Sequence, residues 1–194
     1  MTRIGLFGGS FNPPHRAHRA LAEQALQALK LDHLVVVPAG QPWQKAALTL
    51  AAGVHRLAMT ELQMHGLAGV EVSSLELERD EPSTTAATLA RLRDRFPGAA
   101  WFVVIGQDQY GSLSSWKRLD EWLADTTLAV AARAGAHVQA DPALPPHRMQ
   151  RLDLPADPIS SSEIRAALSR GTDITPMVGP DVAGYIAHHH LYGL

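Results

Sequence analysis

Ile4-Gly5-Leu6-Phe7-Gly8-Gly9-Ser10-Phe11-Asn12-Pro13-Pro14-His15-Arg16-Ala17-His18 decides the reading of this chain. Ile4 to Phe7 is a short apolar run that reads as a buried strand, bounded by Gly8 and Gly9. A helical pattern follows from His18 to Lys30, with Leu21, Ala25, Leu26 and Leu29 on one face. Two glycines between a strand and a helix let backbone amides approach a bound group closely, and the helix start adds unsatisfied N–H donors and a positive dipole end. That combination is an anion cradle. It is not a Walker loop, because no Gly-Lys-Ser/Thr follows, and it is neither GxGxxG nor a serine nucleophile elbow. His15 and His18 stand three apart, so a helical turn projects both from one face toward the anion. Imidazoles there donate hydrogen bonds to phosphate oxygens and become cationic as charge builds up. An isolated His-x-x-His reads instead as a helix cap and a packed or solvated ring. Zinc is disfavoured by the lack of an adjacent Glu or a third ligand at suitable spacing.

Outward from this stretch the same alternation continues. Leu34 to Val37, Val70 to Ser74, Trp101 to Ile105, Leu128 to Ala132 and Met149 to Leu152 read as strands. Between and after them, helices are expected at Val54 to His65, Thr85 to Phe96, Leu119 to Ala124, Ser162 to Arg170 and Pro180 to His189. Pro38 to Ala47 reads as a loop, and Gly135 to Arg148, with its prolines, as a mobile surface loop. Such alternation implies right-handed crossovers and an α/β fold: a three-layer parallel sheet with helices on both faces and a small C-terminal helical portion. In sheets of this kind the ligand sits outside the carboxyl ends of the strands, at the switch in strand order.

The chain has 194 residues, which favours a single domain over residues 1–194. Hydrophobic residues make up 46% and charged residues 19%, which excludes global disorder. A net charge of −2 argues against a general nucleic-acid coat, so any anion site must be built locally. Zero cysteines exclude disulfides, thiolate metal sites and cysteine nucleophiles. The chain runs straight into its first strand without a signal peptide pattern and has no stretch of eighteen apolar residues. The expectation is a cytoplasmic protein with no membrane and no nucleic-acid partner.

Other strand ends carry further chemistry. Lys45, one of three lysines, lies on a Pro/Gly-shaped loop and is placed to reach a phosphate as a point charge; an ordinary solvated lysine is the plainer reading. Asp108, just past a strand that ends at Gly106, is suited to ribose hydroxyls, and Trp116 to stacking on a flat heteroaromatic ring. Singly, a turn residue and a core indole are the plainer readings. Ser160, Ser161 and Ser162 offer hydroxyls and amides at a helix start, with Arg165 one turn in, which suits a triphosphate tail.

Gly8 to His18 resembles the GGxF(D/N)PxHxGH signature of the nucleotidyltransferase superfamily that carries HxGH, with Ala17 in place of the usual Gly. Val37 to Lys45 resembles the VPAGxPxxK loop of bacterial nicotinate-nucleotide adenylyltransferases, and His55 to Met59 their HRxxM helix. Ser83 to Leu89 is similar to the family's SYTxDTL element, with Thr84 for Tyr and Ala87 for Asp. Gly106 to Trp116 is similar to GxDxxxxLxxW, Ile159 to Arg165 to ISSTxIR, and Tyr185 to Tyr192 to the terminal Tyr-Ile-x-x-His-x-Leu-Tyr helix, which accounts for the His188-His189-His190 run. The resemblance implies a Rossmann-like α/β domain and adenylyl transfer from ATP to nicotinate mononucleotide, giving nicotinate adenine dinucleotide and pyrophosphate. It implies His15, His18, Lys45 and Arg165 as the catalytic residues. ATP contacts are implied at Gly8, Gly9, Ser10 and Phe11, at Gly106 and Asp108, and along Ile159 to Ser162. Lys45, Thr85, Trp116 and Arg133 would meet the mononucleotide, with backbone amides near Thr85 facing its carboxylate. Mg²⁺ would be held mainly by substrate phosphates, with no metal site of the protein's own. Two alternatives stay open: a different acceptor, such as the nicotinamide mononucleotide, and a nucleotide-binding regulatory module without catalysis.

Overall fold

The computed structural model describes residues 1–40, 50–78, 84–133, 135–155 and 159–193, and of Arg133 the backbone only. Six strands form one sheet: β1 (Arg3–Gly9), β2 (His33–Pro38), β3 (Val70–Val72), β4 (Ala100–Gly106), β5 (Thr126–Arg133) and β6 (Arg148–Leu154). All their pairings are parallel, in the order β3-β2-β1-β4-β5-β6. The order reverses between β1 and β4, which is the doubly wound switch point. Ile4 pairs with His33 on one side and with Trp101 on the other, so β1 is the central strand at that switch.

The sheet is buried on both faces because its strands are apolar at successive positions. Ile4, Leu6, Val35, Val37, Trp101, Val103, Ile105, Leu128 and Val130 point to one face, where α3 (Thr85–Arg95) adds Ala86, Leu89 and Leu92. Phe7, Leu34, Val36, Phe102, Val104, Ala129 and Ala131 point to the other, where α1 (Arg16–Ala28) adds Leu21, Ala22 and Ala25. The period-two alternation thus feeds two cores from the same strands. A third cluster forms at the C-terminal end. There Met59 of α2 (Gly53–Met64) meets Ile164 and Leu168 of α5 (Ser161–Ser169), Val178 of α6 (Thr175–Val178), and Val182 and Ile186 of α7 (Pro180–His188). A short α4 (Gln107–Tyr110) follows β4 directly.

Two expected elements differ. Leu119 to Ala124 is not one helix but two 3₁₀ turns, Leu119–Glu121 and Leu123–Asp125, interrupted where the fully buried Trp122 takes φ −139°. The strand expected from Val70 to Ser74 stops at Val72, on the edge of the sheet, where only β2 is available to pair. The Gly135–Arg148 segment is tied down rather than loose along its described length. Gln107 Nε2 donates to Gln139 O at 2.8 Å, Asp141 accepts from Ser114 N at 3.1 Å, and Tyr110 Oη lies 2.8 Å from His147 Nε2.

Candidate active site

β1 ends at Gly9, and residues 10 to 15 carry the chain to the start of α1. A Cβ built on Gly8 would meet nothing within 4 Å, so this backbone faces open space at the carboxyl edge of the sheet. Phe11 holds φ +44°, a costly conformation for a bulky residue. Its buried ring fixes that conformation by packing edge-on against Phe7, with centroids 5.4 Å apart, and against His18 at 5.0 Å.

His15 is the N-cap residue of α1 and is 6% exposed. Its backbone N–H donates to His18 Nδ1 at 3.2 Å, and its carbonyl accepts from His18 N at 2.9 Å. The two imidazoles lie 3.8 Å apart, tilted by 35°. His18 Nδ1 is thus an acceptor, which places the proton of a neutral ring on Nε2. Both histidines line a cleft of about 540 Å³ whose opposite wall is Gly106, Gln107 and Asp108, with Ala131 and Leu154 at its floor. The cleft opens at the carboxyl ends of β4, β5 and β6, beside the switch point.

The C-terminal helices buttress the loop that precedes the histidines. Arg165 donates from Nη1 to Asn12 O at 2.6 Å and from Nη2 to Ser162 Oγ at 3.2 Å. Ser161 Oγ donates to Pro13 O at 2.8 Å. Ser160 caps α5, accepting from Glu163 N at 3.2 Å, while Ile159 packs into the C-terminal cluster. Ser10 carries a carbonyl that accepts from Arg56 Nη1 at 2.9 Å. Arg56 is buried and also donates to Ala51 O at 3.0 Å and Gly40 O at 3.3 Å, so one guanidinium gathers the ends of β1, β2 and the start of α2. Burial pulls its pKa down from the ordinary arginine value, an effect opposed by Tyr192 and Glu76.

The remaining expected residues divide. Thr85 opens α3, capped by Thr84 Oγ1, which accepts from Ala87 N at 3.3 Å. Thr85 and Trp116 belong to the face of the sheet served by α3; Trp116 is half-buried there, its ring 6.3 Å from that of Trp122, and it does not line the histidine cleft. Arg133 ends β5. Lys45 lies outside the described residues. In the sequence, Asn12 and Tyr192 stand out only as members of their motifs, and Arg56 also as an arginine among Val54, Leu57 and Met59 on a helix. Among the described residues no group of three or more His, Asp or Glu side chains is arranged to hold a metal ion.

A parallel sheet with this strand order, a glycine-ended first strand and paired histidines opening the next helix make this a doubly wound α/β protein with its candidate site at the switch point. The sequence profile of the cytidylyltransferase-like family matches residues 6–167. A probable nicotinate-nucleotide adenylyltransferase of Albidiferax ferrireducens is 44% identical over 99% of this chain and 98% of its own. The one from Methylibium petroleiphilum is 42% identical over 98% and 92%. The nicotinic acid mononucleotide adenylyltransferase of Plasmodium falciparum, solved in complex with NaAD, superposes with a TM-score of 0.81 over 99% of this chain and 98% of its own, at 21% identity. The chain belongs to the nicotinate-nucleotide adenylyltransferase family.

Proposed function

We propose that this chain, acting as a single domain, transfers the adenylyl group of ATP to nicotinate mononucleotide, releasing pyrophosphate and forming nicotinate adenine dinucleotide for NAD biosynthesis. The observation that carries the reading is the His15–His18 pair, whose rings lie 3.8 Å apart at the start of α1 and line one cleft with Gly106 to Asp108 at the switch point. An oxygen of the mononucleotide phosphate attacks the α-phosphorus of ATP; that P–O bond forms as the bond to the β-phosphate oxygen breaks, and pyrophosphate leaves with the electron pair. The attacking group is already an anion, so no general base is needed. Catalysis then consists of holding two anions in line and neutralising the charge that develops.

His18 Nε2–H and the amides around Gly8, Gly9 and Ser10 are assigned to the phosphates of ATP. His15 supports the same oxygens. Arg165, oriented by Asn12 O and Ser162 Oγ, and Lys45 are assigned to the leaving pyrophosphate and the incoming phosphate. Asp108 is assigned to the ribose, and Thr85, Trp116 and Arg133 to the pyridine mononucleotide. Mg²⁺ arrives as part of the nucleotide complex, its ligands chiefly phosphate oxygens and water. The reaction belongs in the cytoplasm, where its substrates are. No helix of the described residues is long and apolar enough to cross a membrane.

The deciding assay follows pyrophosphate release from ATP and Mg²⁺ with nicotinate or nicotinamide mononucleotide as acceptor, the dinucleotide being identified by mass. Strong preference for the acid supports the reading. Equal use of both acceptors overturns the specificity, and release with neither overturns the activity.

A further inference from the structure

The penultimate part of the chain reaches back to the first loop. Tyr192 Oη donates to Asn12 Oδ1 at 2.9 Å, across 180 residues of sequence. The same Asn12 oxygen accepts from Ala51 N at 3.0 Å, and the Asn12 carbonyl accepts from Arg165 Nη1 at 2.6 Å. Asn12 itself is 2% exposed. Three separate parts of the chain therefore converge on one residue of the loop between Gly9 and His15: the approach to α2, the first turn of α5 and the C-terminal turn Leu191–Gly193. The terminal backbone is bent to achieve this. His190 and Tyr192 both hold left-handed conformations, φ +49° and +64°, which non-glycine residues adopt only where surrounding contacts enforce them.

We propose that Tyr192 is a positioning residue for adenylyl transfer, its hydroxyl locking Asn12 and through it the register of the loop that sets His15 and His18 against the cleft. The inference rests on the function proposed above. A phenol suits the task. Burial holds the Tyr192 hydroxyl above its ordinary pKa, so it remains a donor at every pH at which the enzyme works, while Arg165 and Arg56 nearby pull in the opposite direction. Asn12 Oδ1 has two lone pairs and accepts two donors here, one from Ala51 and one from Tyr192, so each donor restricts the amide plane independently. Removing the phenol hydroxyl leaves the Ala51 bond and the aromatic packing in place. It removes one restraint on a residue three positions before His15.

The variant is Tyr192→Phe in the full chain, measured in two ways. Pyrophosphate release should show kcat lowered about five- to tenfold with KM for both substrates within about twofold, because a loosened loop misplaces the histidines more than it weakens binding. Amide hydrogen exchange, read by mass spectrometry on peptides covering residues 8–18, should become faster, with peptides from β4 and β5 unchanged. Faster exchange throughout the molecule, or a rate loss that follows the fraction unfolded, makes Tyr192 merely structural and overturns the proposal. So does unchanged kcat, or unchanged exchange in residues 8–18. If the unsubstituted enzyme releases no pyrophosphate with either mononucleotide, the assigned reaction fails. The exchange experiment then still decides whether Tyr192 orders the loop.

Discussion

His18 does two things with one ring: Nδ1 accepts from the His15 N–H, and the ring lines the cleft. Replacing it with Ala removes the donor assigned above to developing phosphate charge, a loss on the order of 10²–10³ in turnover. The half-buried ring also packs on Phe7 and Phe11, so a modest loss of stability should accompany it without unfolding the protein. Pyrophosphate release and thermal unfolding of His18→Ala should separate accordingly; near-normal turnover would falsify the role. Gly8 offers a complementary case. Its Cβ has open space and its φ lies outside the left-handed region, so Gly8→Ala should fold with stability within about 0.5 kcal/mol of the parent. The added methyl projects where nucleotide phosphates are assigned. ATP affinity by calorimetry should therefore fall although the thermal midpoint holds, and unaltered affinity would place the phosphates elsewhere.

At the scale of elements, the helix starts hold most of the residues assigned to the site, and each is built by local sequence. α3 begins where Thr84, extended at φ −131°, accepts the Ala87 N–H. Thr84→Ala should cost about 1 kcal/mol in denaturant unfolding, whereas Thr84→Ser, which keeps the oxygen, should stay within a few tenths. Equal losses in the two variants would show that the Thr84 methyl, and not the cap, matters there. α5 begins with the reciprocal Ser160–Glu163 pair: Ser160 Oγ accepts the Glu163 N–H and donates to the Glu163 carboxylate at 3.0 Å. The consequence reaches beyond the helix, because capping at Ser160 fixes the turn from which Ser161 and Arg165 grip Pro13 and Asn12.

For the whole molecule, the segment before β6 is held against the turn after α4 by a carboxylate. Asp141 accepts from Ser114 N at 3.1 Å and from Ala143 N at 3.0 Å, and its pKa is held below the ordinary 3.8 by the Ser114 side-chain hydroxyl foremost and then by these backbone bonds. The folded protein binds that proton less readily than the unfolded chain. The contribution to stability is therefore complete above about pH 3.8, and it is lost as pH falls below that value through the lower folded pKa. Thermal midpoints of the parent and of Asp141→Asn should differ at about pH 5 and converge toward about pH 2.5. A gap of constant size across that range would mean that the carboxylate's charge is irrelevant to the tie.

Local patterning sufficed for the strands and most helices, because a fully buried parallel strand such as Leu34 to Val37 or Trp101 to Ile105 has no other stable environment. It also pointed to Gly8 to His18 as a candidate anion cradle, since the glycines, the helix start and the histidine spacing are contiguous in the chain. Sequence could not divide Leu119 to Ala124 into two turns, which follows from where Trp122 must bury its indole. Nor could it pair Tyr192 with Asn12, Arg165 with the Asn12 carbonyl, or Arg56 with the carbonyls of Ser10, Gly40 and Ala51. The physical reason is the same throughout. Elements form from near-neighbour periodicity and capping, which a sequence displays directly. Buried polar groups are satisfied by whichever partners the packed chain brings within 3 Å, and those partners are fixed only once the sheet order and the C-terminal helices are in place.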